Sequence, residues 1–487
     1  MLKKVATTGV DLDCVYSQTL QRIRDQKGSR SRLGMEVLMW VSHAERPLRI
    51  DELCHALAVE KGSTDIDPEN ITPQDTVLGS CLGLAVVDSE TSTVRLTHYT
   101  LQEYLSQPGI LPNAHTTLGQ ICLTYLNYDQ IRGLPAENDS SLSGMRFLEY
   151  ASLHWGRHAK MELSNDTKSL ALKLLSRYDD HISSVLLSNH VHSGLPPPLS
   201  HRPFPGLHCA SYFGVGEVIA ALIEMEGCDI NQRDWQRFTP LMRAAQQGNQ
   251  GAVTLLLARD DIDPDGSRHD GQTPLMWASY NGHERVVRLL LARGGVNPEK
   301  VDRNGRTPLM WAACKGREGV VRLLLARDNL NPDKPSNDGR TPLAWASFKG
   351  HEGVVRQLLA RSGVNPDRLD RYGTTPLWGA SSNGHEGVVR LLLARADVNP
   401  DRQDNDGETP LWWASFNGHE GVVGLLLARD DVNPNKPNPS GGTPLWWASR
   451  NGHEGVVRLL LARHDVNPAS RIAAVKYYCK PPLGAGK

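Results

Sequence analysis

The sequence predicts a predominantly all-α protein: a solenoid of repeated helix pairs, preceded by a helix-and-hairpin domain and a helical linker. Three observations carry that prediction. Thr-Pro-Leu recurs seven times at a spacing of 34 residues, at Thr239, Thr273, Thr307, Thr341, Thr375, Thr409 and Thr443. A period of that size belongs to stacked supersecondary units rather than to a single globular core. Each period holds two short apolar stretches separated by a glycine. Upstream the period vanishes, and amphipathic helical segments lead into two short alternating stretches around Ser89-Glu90-Thr91-Ser92.

Residues 1–29 read as a helical lead-in. Within residues 30–106, Arg32–Ala44 places Leu33, Val37, Leu38 and Val41 on one helical face, and Pro47 opens a second helix with Leu48, Ile50, Leu53 and Leu57. Thr76–Leu82 makes a third helix, and Leu84–Val87 and Val94–Tyr99 alternate as a hairpin. Three helices and a two-stranded wing make a winged-helix plan. Its presumed recognition helix, Gln74-Asp75-Thr76-Val77-Leu78-Gly79-Ser80, has no Lys or Arg. Non-specific affinity for nucleic acid comes from cations set against phosphates, so this segment argues against a DNA partner. Residues 107–203 form a helical linker, with helical stretches at Leu118–Leu126, Phe147–Ala159 and Ser169–Leu175. Gly194-Leu195-Pro196-Pro197-Pro198 follows as a hinge.

The repeats occupy residues 204–470, about eight copies. In the unit that begins at Asp302, Asn304-Gly305 is a turn, Thr307 caps a helix and Pro308 takes its first position, where a missing N–H costs nothing. The helix Leu309–Lys315 stops at Gly316, which tolerates the left-handed conformation of a helix end. A second helix runs from Glu318 to Arg327, with Val320, Val321, Leu323, Leu324 and Leu325 apolar on nearly every side. Such a helix must be covered on two sides, which only stacked neighbours provide. Asn331-Pro332 ends the unit. A tetratricopeptide repeat has a similar period but opens on a Trp–Leu-Gly–Tyr pattern that is lacking here. The unit resembles the ankyrin repeat, in the form Asp-Gly-Arg-Thr-Pro-Leu followed by Gly-His-Glu-x-Val-Val-x-Leu-Leu-Leu. The stretch between Asn331 and Gly339 is about two residues longer than the usual ankyrin loop. Gly206-Leu207-His208-Cys209-Ala210 and Glu217–Ile223 fall in register as an eighth, irregular copy that caps the array. Residues 471–487 form a tail whose segment Ile472–Tyr478 is expected to cover the apolar face at Leu459–Leu461.

Comparison between repeats separates scaffold from recognition. Trp277, Trp311, Trp345, Trp413 and Trp447 share one site, interrupted by Gly379, and read as core between adjacent helix pairs. The preceding site holds Met276, Met310, Ala344, Trp378, Trp412 and Trp446, and reads equally as core or as contact surface. The residues before each helix-ending glycine vary, as do the fingertips. The resemblance implies that these positions line a concave groove. Trp235, Gln246, Tyr280, Arg303, Lys315, Phe348, Lys349, Arg371, Phe416 and Arg450 are therefore the candidate contacts for a protein partner, rich in the side chains that carry interface energy. His283, His351, His385, His419 and His453 recur once per repeat before Glu, but Val stands where a zinc site of the His-Glu-x-x-His type needs its second His. They read as structural, and no metal is expected.

The segments Trp40–Leu48, Asp51–Leu57 and Thr97–Leu105, with Phe147–Ala151 and Trp155, resemble the region after the NACHT ATPase core in fungal NACHT–ankyrin proteins, members of the STAND class of signalling ATPases. This resemblance implies that residues 1–29 end a NACHT-type region, that the repeats sense a trigger, and that His98 lies where related ATPases set a His against ADP phosphate. The alternative for His98 is a buried, hydrogen-bonded core histidine. No Gly-x-x-x-x-Gly-Lys-Ser/Thr loop occurs, so the chain is expected to begin after its ATPase engine. The implied function is that of a non-enzymatic protein-interaction module, the sensor arm of such a protein. A part of an NTPase switch completed by another subunit is the alternative, with a DNA-binding regulator behind it.

Composition agrees with that reading. The 53 basic and 54 acidic side chains balance. No nucleophile elbow, zinc spacing or glycine-rich nucleotide loop suggests catalysis or a cofactor. The eight cysteines show no paired spacing, the N-terminus is too short and polar for a signal peptide, and no apolar run approaches a membrane span. An intracellular, cytoplasmic protein without a membrane partner is expected.

Overall fold

The computed structural model describes residues 12–134, 144–191 and 204–467. They fall into two compact units, Met1–Ala244 with Gly251–Ile262, and Ala245–Gln250 with Asp263–Lys487. The protein is mostly helical, and β1 and β2 below make the one sheet among the described residues.

The first unit opens with α1 (Leu12–Arg24), α2 (Ser29–His43), α3 (Ile50–Leu57) and α4 (Gln74–Ser80), followed by β1 (Ala85–Val87), β2 (Val94–Leu96) and α5 (Tyr99–Leu105). Helix α2 buries Val37, Leu38 and Trp40, against a core that includes Leu53, Val77, Val94 and Leu101. At Gly34 the backbone of α4 comes so close that a Cβ would lie 2.6 Å from the Ser80 carbonyl oxygen. Helix α3 starts later than Pro47 because the chain first runs extended, with Arg49 bridged to Thr93. Glu52 then accepts from the Arg49 N–H at 2.7 Å and takes the Arg46 guanidinium through both oxygens, at 2.8 and 2.6 Å. The strands pair antiparallel, Ala85 with Leu96 and Val87 with Val94. In the turn between them, Asp88 accepts from the Glu90 and Thr91 N–H groups at 3.0 Å. β2 ends at Leu96 because His98 already caps α5.

The linker supplies α6 (Ala114–Leu126), α7 (Asp129–Arg132), α8 (Leu148–Met161), α9 (Asn165–Leu175) and α10 (Ile182–Val191). An aromatic cluster ties α2 to α8: Trp40 meets Phe147 edge-on at 5.4 Å and Tyr150 at 5.7 Å. Tyr150 also accepts from the Glu45 N–H at 3.0 Å. The irregular first copy, α11 (Gly206–Phe213) and α12 (Gly216–Ile223), docks directly on α8. Trp155 and Phe213 rings lie 5.3 Å apart, and Gly156 is needed there, since a Cβ would sit 2.2 Å from the Phe213 ring. The hinge at Gly194–Pro198 and the capping tail at Ile472–Tyr478 lie outside the described residues.

The seven regular repeats each supply an inner and an outer helix. They are α13 (Pro240–Gln247) and α14 (Gln250–Leu257), α15 (Pro274–Asn281) and α16 (Glu284–Ala292), α17 (Pro308–Cys314) and α18 (Glu318–Leu325), and α19 (Pro342–Lys349) and α20 (Glu352–Leu359). Then follow α21 (Pro376–Ser382) and α22 (Glu386–Leu393), α23 (Pro410–Phe416) and α24 (Glu420–Leu427), and α25 (Pro444–Arg450) and α26 (Glu454–Ala462). The Thr of each Thr-Pro caps its helix through Oγ1, as Thr307 does for the Met310 N–H at 3.3 Å. Val320, Val321, Leu324 and Leu325 of α18 are buried. In the last repeat Leu459 and Leu461 are exposed among the described residues. The longer interrepeat stretch carries its own order: Asn331 accepts from the Asp333 N–H, and a ladder of cations joins successive loops, Lys300 to Asp265, Lys334 to Glu299, Arg368 to Asp333, Arg402 to Asp367 and Lys436 to Asp401.

Candidate functional site

The recurring histidines explain why some positions vary. Each reaches back one repeat and donates from Nε2 to the carbonyl at the end of the preceding inner helix. His283 meets Gln246 at 3.0 Å, His351 Cys314 at 3.1 Å, His385 Phe348 at 3.1 Å, His419 Ser382 at 3.1 Å and His453 Phe416 at 3.0 Å. Where the sequence has Arg317 instead, its Nε serves Tyr280 at 3.1 Å. The ring packs on the helix-ending glycine, where a Cβ at Gly316 would lie 2.7 Å from His351 Nδ1. The backbone of the variable positions is thus pinned while their side chains remain free to differ. The fingertips are held in the same way, with Arg303 N–H on the Asp270 carbonyl and Arg371 N–H on that of Asp338.

On this frame the inner helices build an aromatic row, and it corrects one expectation. The tryptophans read as core, Trp277, Trp311, Trp345, Trp413 and Trp447, are only half-buried. The deeper layer is the site before them, where Met276, Met310 and Trp412 are buried. Side-chain direction on the helix decides this: one residue of shift turns a ring by about 100° from the core to the rim. Tyr280 stands between two of these rings, 6.2 Å from Trp277 and 5.3 Å from Trp311. A cavity of about 190 Å³ opens among Gln272, Met276, Trp277, Tyr280 and Trp311.

Cations overlie the row. Lys315 Nζ is 4.6 Å from the Tyr280 ring centre, and Lys349 Nζ 5.2 Å from that of Phe348. The Lys315 amine is pushed up by its hydrogen bond to Tyr280. Arg371 rests on Tyr372 and Arg450 on Trp446 and Trp447. Arg303, Lys315, Lys349, Arg371 and Arg450 are exposed, and Tyr280 and Phe348 half-buried. Of the ten candidate contacts, Tyr280, Lys315, Phe348, Lys349 and Arg450 are thus joined to one another or to the tryptophans, Gln246 enters through its carbonyl, and Phe416 is stacked on Trp412 at 5.2 Å. Phe416 also touches Trp413 and Trp447, so its ring is mostly spent on the protein itself. Trp235 belongs elsewhere: in the first unit, its indole N–H donates to Ser188 Oγ at 2.8 Å, which fastens the fingertip to α10.

Several residues escaped the sequence reading. Arg306 lies 5.3 Å from the Trp311 ring and 5.6 Å from Trp345. Asp404 accepts from the Trp378 and Trp413 indoles, which ties those two rings to the finger between them. Arg243 occupies the Trp site one period before Trp277, yet is fully buried and paired with buried Asp234. The period alone could have located it. His98 corrects the core alternative. It is exposed, caps α5 through Nδ1 to the Thr100 N–H and stacks on Tyr99 at 4.7 Å. The exposed face of α4 offers Gln74, Asp75, Thr76 and Gly79, without a cation. Among the described residues no cluster of three His, Cys, Asp or Glu could hold a metal, and no helix is long and apolar enough to cross a membrane.

Comparison with known proteins matches both parts. A family model described as ankyrin repeats (3 copies) matches residues 186–267, 260–334, 327–402 and 396–471, together more than half of the chain. A model described as GPI inositol-deacylase, winged helix domain matches residues 22–113. Among solved structures, the ankyrin repeat domain of human ASB11 is similar at 26% identity, covering 47% of this chain and 99% of that one, with a TM-score of 0.43. No curated protein matches the chain.

Proposed function

Since the chain belongs to the ankyrin repeat family, we propose that it is a non-enzymatic protein-interaction module whose inner-helix face binds a protein partner. The observation that carries this reading is the half-buried aromatic row overlaid by exposed cations, on a backbone that neighbouring repeats hold in place. Aromatic and Arg side chains dominate interface energetics because they combine apolar area with a polar end. The winged-helix model takes its name from an enzyme, yet what it matches is a winged-helix domain, and the reading here assigns that domain no chemistry. A photocrosslinking residue at Phe348, on the inner face, should capture a partner in cells that express the protein. One at Arg356, on an outer helix, should not. Equal capture at both positions, or none at Phe348, overturns the reading.

The finer form of the proposal makes the chain the sensor arm of a NACHT–ankyrin signalling protein in the cytoplasm. The winged-helix match ahead of the repeats and the exposed position of His98 support it. With Nδ1 engaged in capping, Nε2 is the atom left for a phosphate. ADP binding to the chain together with a NACHT core, lost on His98→Ala, is the expected result. Binding unchanged by the substitution removes His98 from that role. A DNA-regulator reading predicts a salt-sensitive gel shift, for which α4 offers no cation.

A further inference from the structure

We propose that the cavity among Trp277, Tyr280 and Trp311 receives one aliphatic side chain of an acidic peptide segment, whose carboxylates pair with Lys315, Arg306 and the neighbouring cations. The proposal rests on the reading of this face as a protein-binding surface and names the class of segment it takes.

Size and lining define the anchor. The cavity measures about 190 Å³ and is lined by Gln272, Met276, Trp277, Tyr280 and Trp311, none of them charged and most of their surface apolar. A dry apolar cavity of about 150 Å³ is enough to hold benzene, so a Leu, Ile or Met side chain fits. Rings tilted at 67° and 70° to one another form walls rather than a flat platform. That geometry suits a branched chain better than a stacked base.

Charge selects what surrounds the anchor. An aromatic enclosure could in principle hold a cation. Here Lys315 already sits over Tyr280 and Arg306 over Trp311, and no Asp or Glu lines the cavity. A third cation would be repelled, and a carboxylate attracted. Two finger carboxylates are turned inward, while the half-buried Asp270 and Asp338 are paired with Arg268 and Arg340. Asp302 accepts the Asn304 and Arg306 N–H groups at 2.9 and 2.8 Å. Asp370 accepts those of Tyr372 and Thr374 and pairs with Arg340 at 3.0 Å. Asp302 and Asp370 are buried, whereas Arg303, Lys315, Lys349 and Arg371 are exposed. This stretch is therefore positive although the chain as a whole carries a net charge of −1. Toward the C-terminus Asp404, Asp406 and Glu408 reverse the sign of the fingers, which confines the acidic segment to the middle of the array. Packed helices repeat about every 10 Å and an extended chain advances about 3.3 Å per residue. With Lys315 and Arg306 beside the cavity walls and Lys349 one repeat further on, the carboxylates should fall within about three residues of the anchor.

The test is selection of twelve-residue peptides from a random displayed library against the full chain, followed by binding measurements on the winners. Selected peptides should share Asp or Glu within about three residues of a Leu, Ile or Met. Tyr280→Ala should weaken them at least tenfold, and so should changing the anchor to Gly. Lys315→Glu with Lys349→Glu alters only exposed side chains, so it keeps the fold. It should weaken binding at least tenfold and flatten its salt dependence. Winners without acidic residues, or acidic winners indifferent to both Tyr280→Ala and the charge reversal, overturn the proposal. If their binding falls instead on Phe348→Ala or Arg450→Glu, the groove reading stands and this site alone is wrong. No selected peptide at all would overturn both, as would single-stranded oligonucleotides binding more tightly than every peptide.

Discussion

Arg243 shows how one position can break a repeat's rule. Its guanidinium donates from Nε to Asp234 at 3.0 Å and lies 3.8 Å from the centre of the Phe238 ring, with no exposed surface. Asp234 also accepts the Gln236 and Phe238 N–H groups. Removing one partner of such a pair strands the other charge, which costs about 3–5 kcal/mol. Asp234→Ala should therefore lower the first unit's stability by that amount in urea unfolding. Arg243→Met combined with Asp234→Asn should cost less, because no charge is left buried and the two turn N–H groups keep an acceptor. A loss equal to that of Asp234→Ala would mean that the turn, not the ion pair, holds this repeat. The position of Arg243 was legible from the period. Its burial was not, since an Arg enters a core only when a carboxylate is brought to it, here from nine residues earlier.

Among the elements, the helix pairs were the most legible and the row they build the least. Thr-Pro, the glycine and the Val-Leu pattern are local instructions, and the inner helices begin at Pro240, Pro274 and Pro308 as capping requires. Thr307→Ala should cost about 0.5–2 kcal/mol through the lost cap. The histidines act between repeats. His351→Ala leaves the Cys314 carbonyl without its donor and should cost about 1–3 kcal/mol. His351→Arg should retain most of the stability, because Arg317 already makes the same link to Tyr280. Thermal melts of the three variants check both statements, and equal losses for Ala and Arg would mean that the ring packing matters more than the hydrogen bond. The sequence reading placed the tryptophans in the core because large apolar side chains usually go there. Which of two adjacent positions faces inward depends on the rotation of the inner helix against its neighbours, a quantity absent from the pattern.

For the whole molecule, acid should act first on the first unit. Burial pushes His154 down to about 4, His158 to about 3, His181 to about 4 and His208 to about 4. Nearby cations and histidines add to the effect at His154 and His158. His158 lies between Tyr150 at 3.0 Å and His115 at 2.9 Å, where α8 meets α6 and α2. Above pH of about 6.5 these groups are neutral whether folded or not, and stability does not depend on them. As pH falls below that value the unfolded chain takes up protons that the folded one refuses. Each group then removes up to about 1.4 kcal/mol per pH unit, until its folded value is reached. In the second unit burial lowers His385 too, opposed by its bond to the Phe348 carbonyl. Unfolding followed separately in the two units should show the first weakening more steeply between pH 6.5 and 4. A first unit as stable at pH 4.5 as at 7 would contradict the burial of these rings.

The period, the caps, the turn chemistry and the balance of charge came from neighbours along the chain. They were enough to establish a helical repeat array with a winged helix before it, because propensity and hydrophobic spacing are local properties. The binding face was different. Tyr280 against Trp311, Lys315 above Tyr280 and Arg340 on Asp370 each join residues about a repeat apart, and Trp235 was claimed by α10 rather than by the groove. Rotation of helices and the direction of side chains settle such contacts, and both are fixed only when the repeats pack.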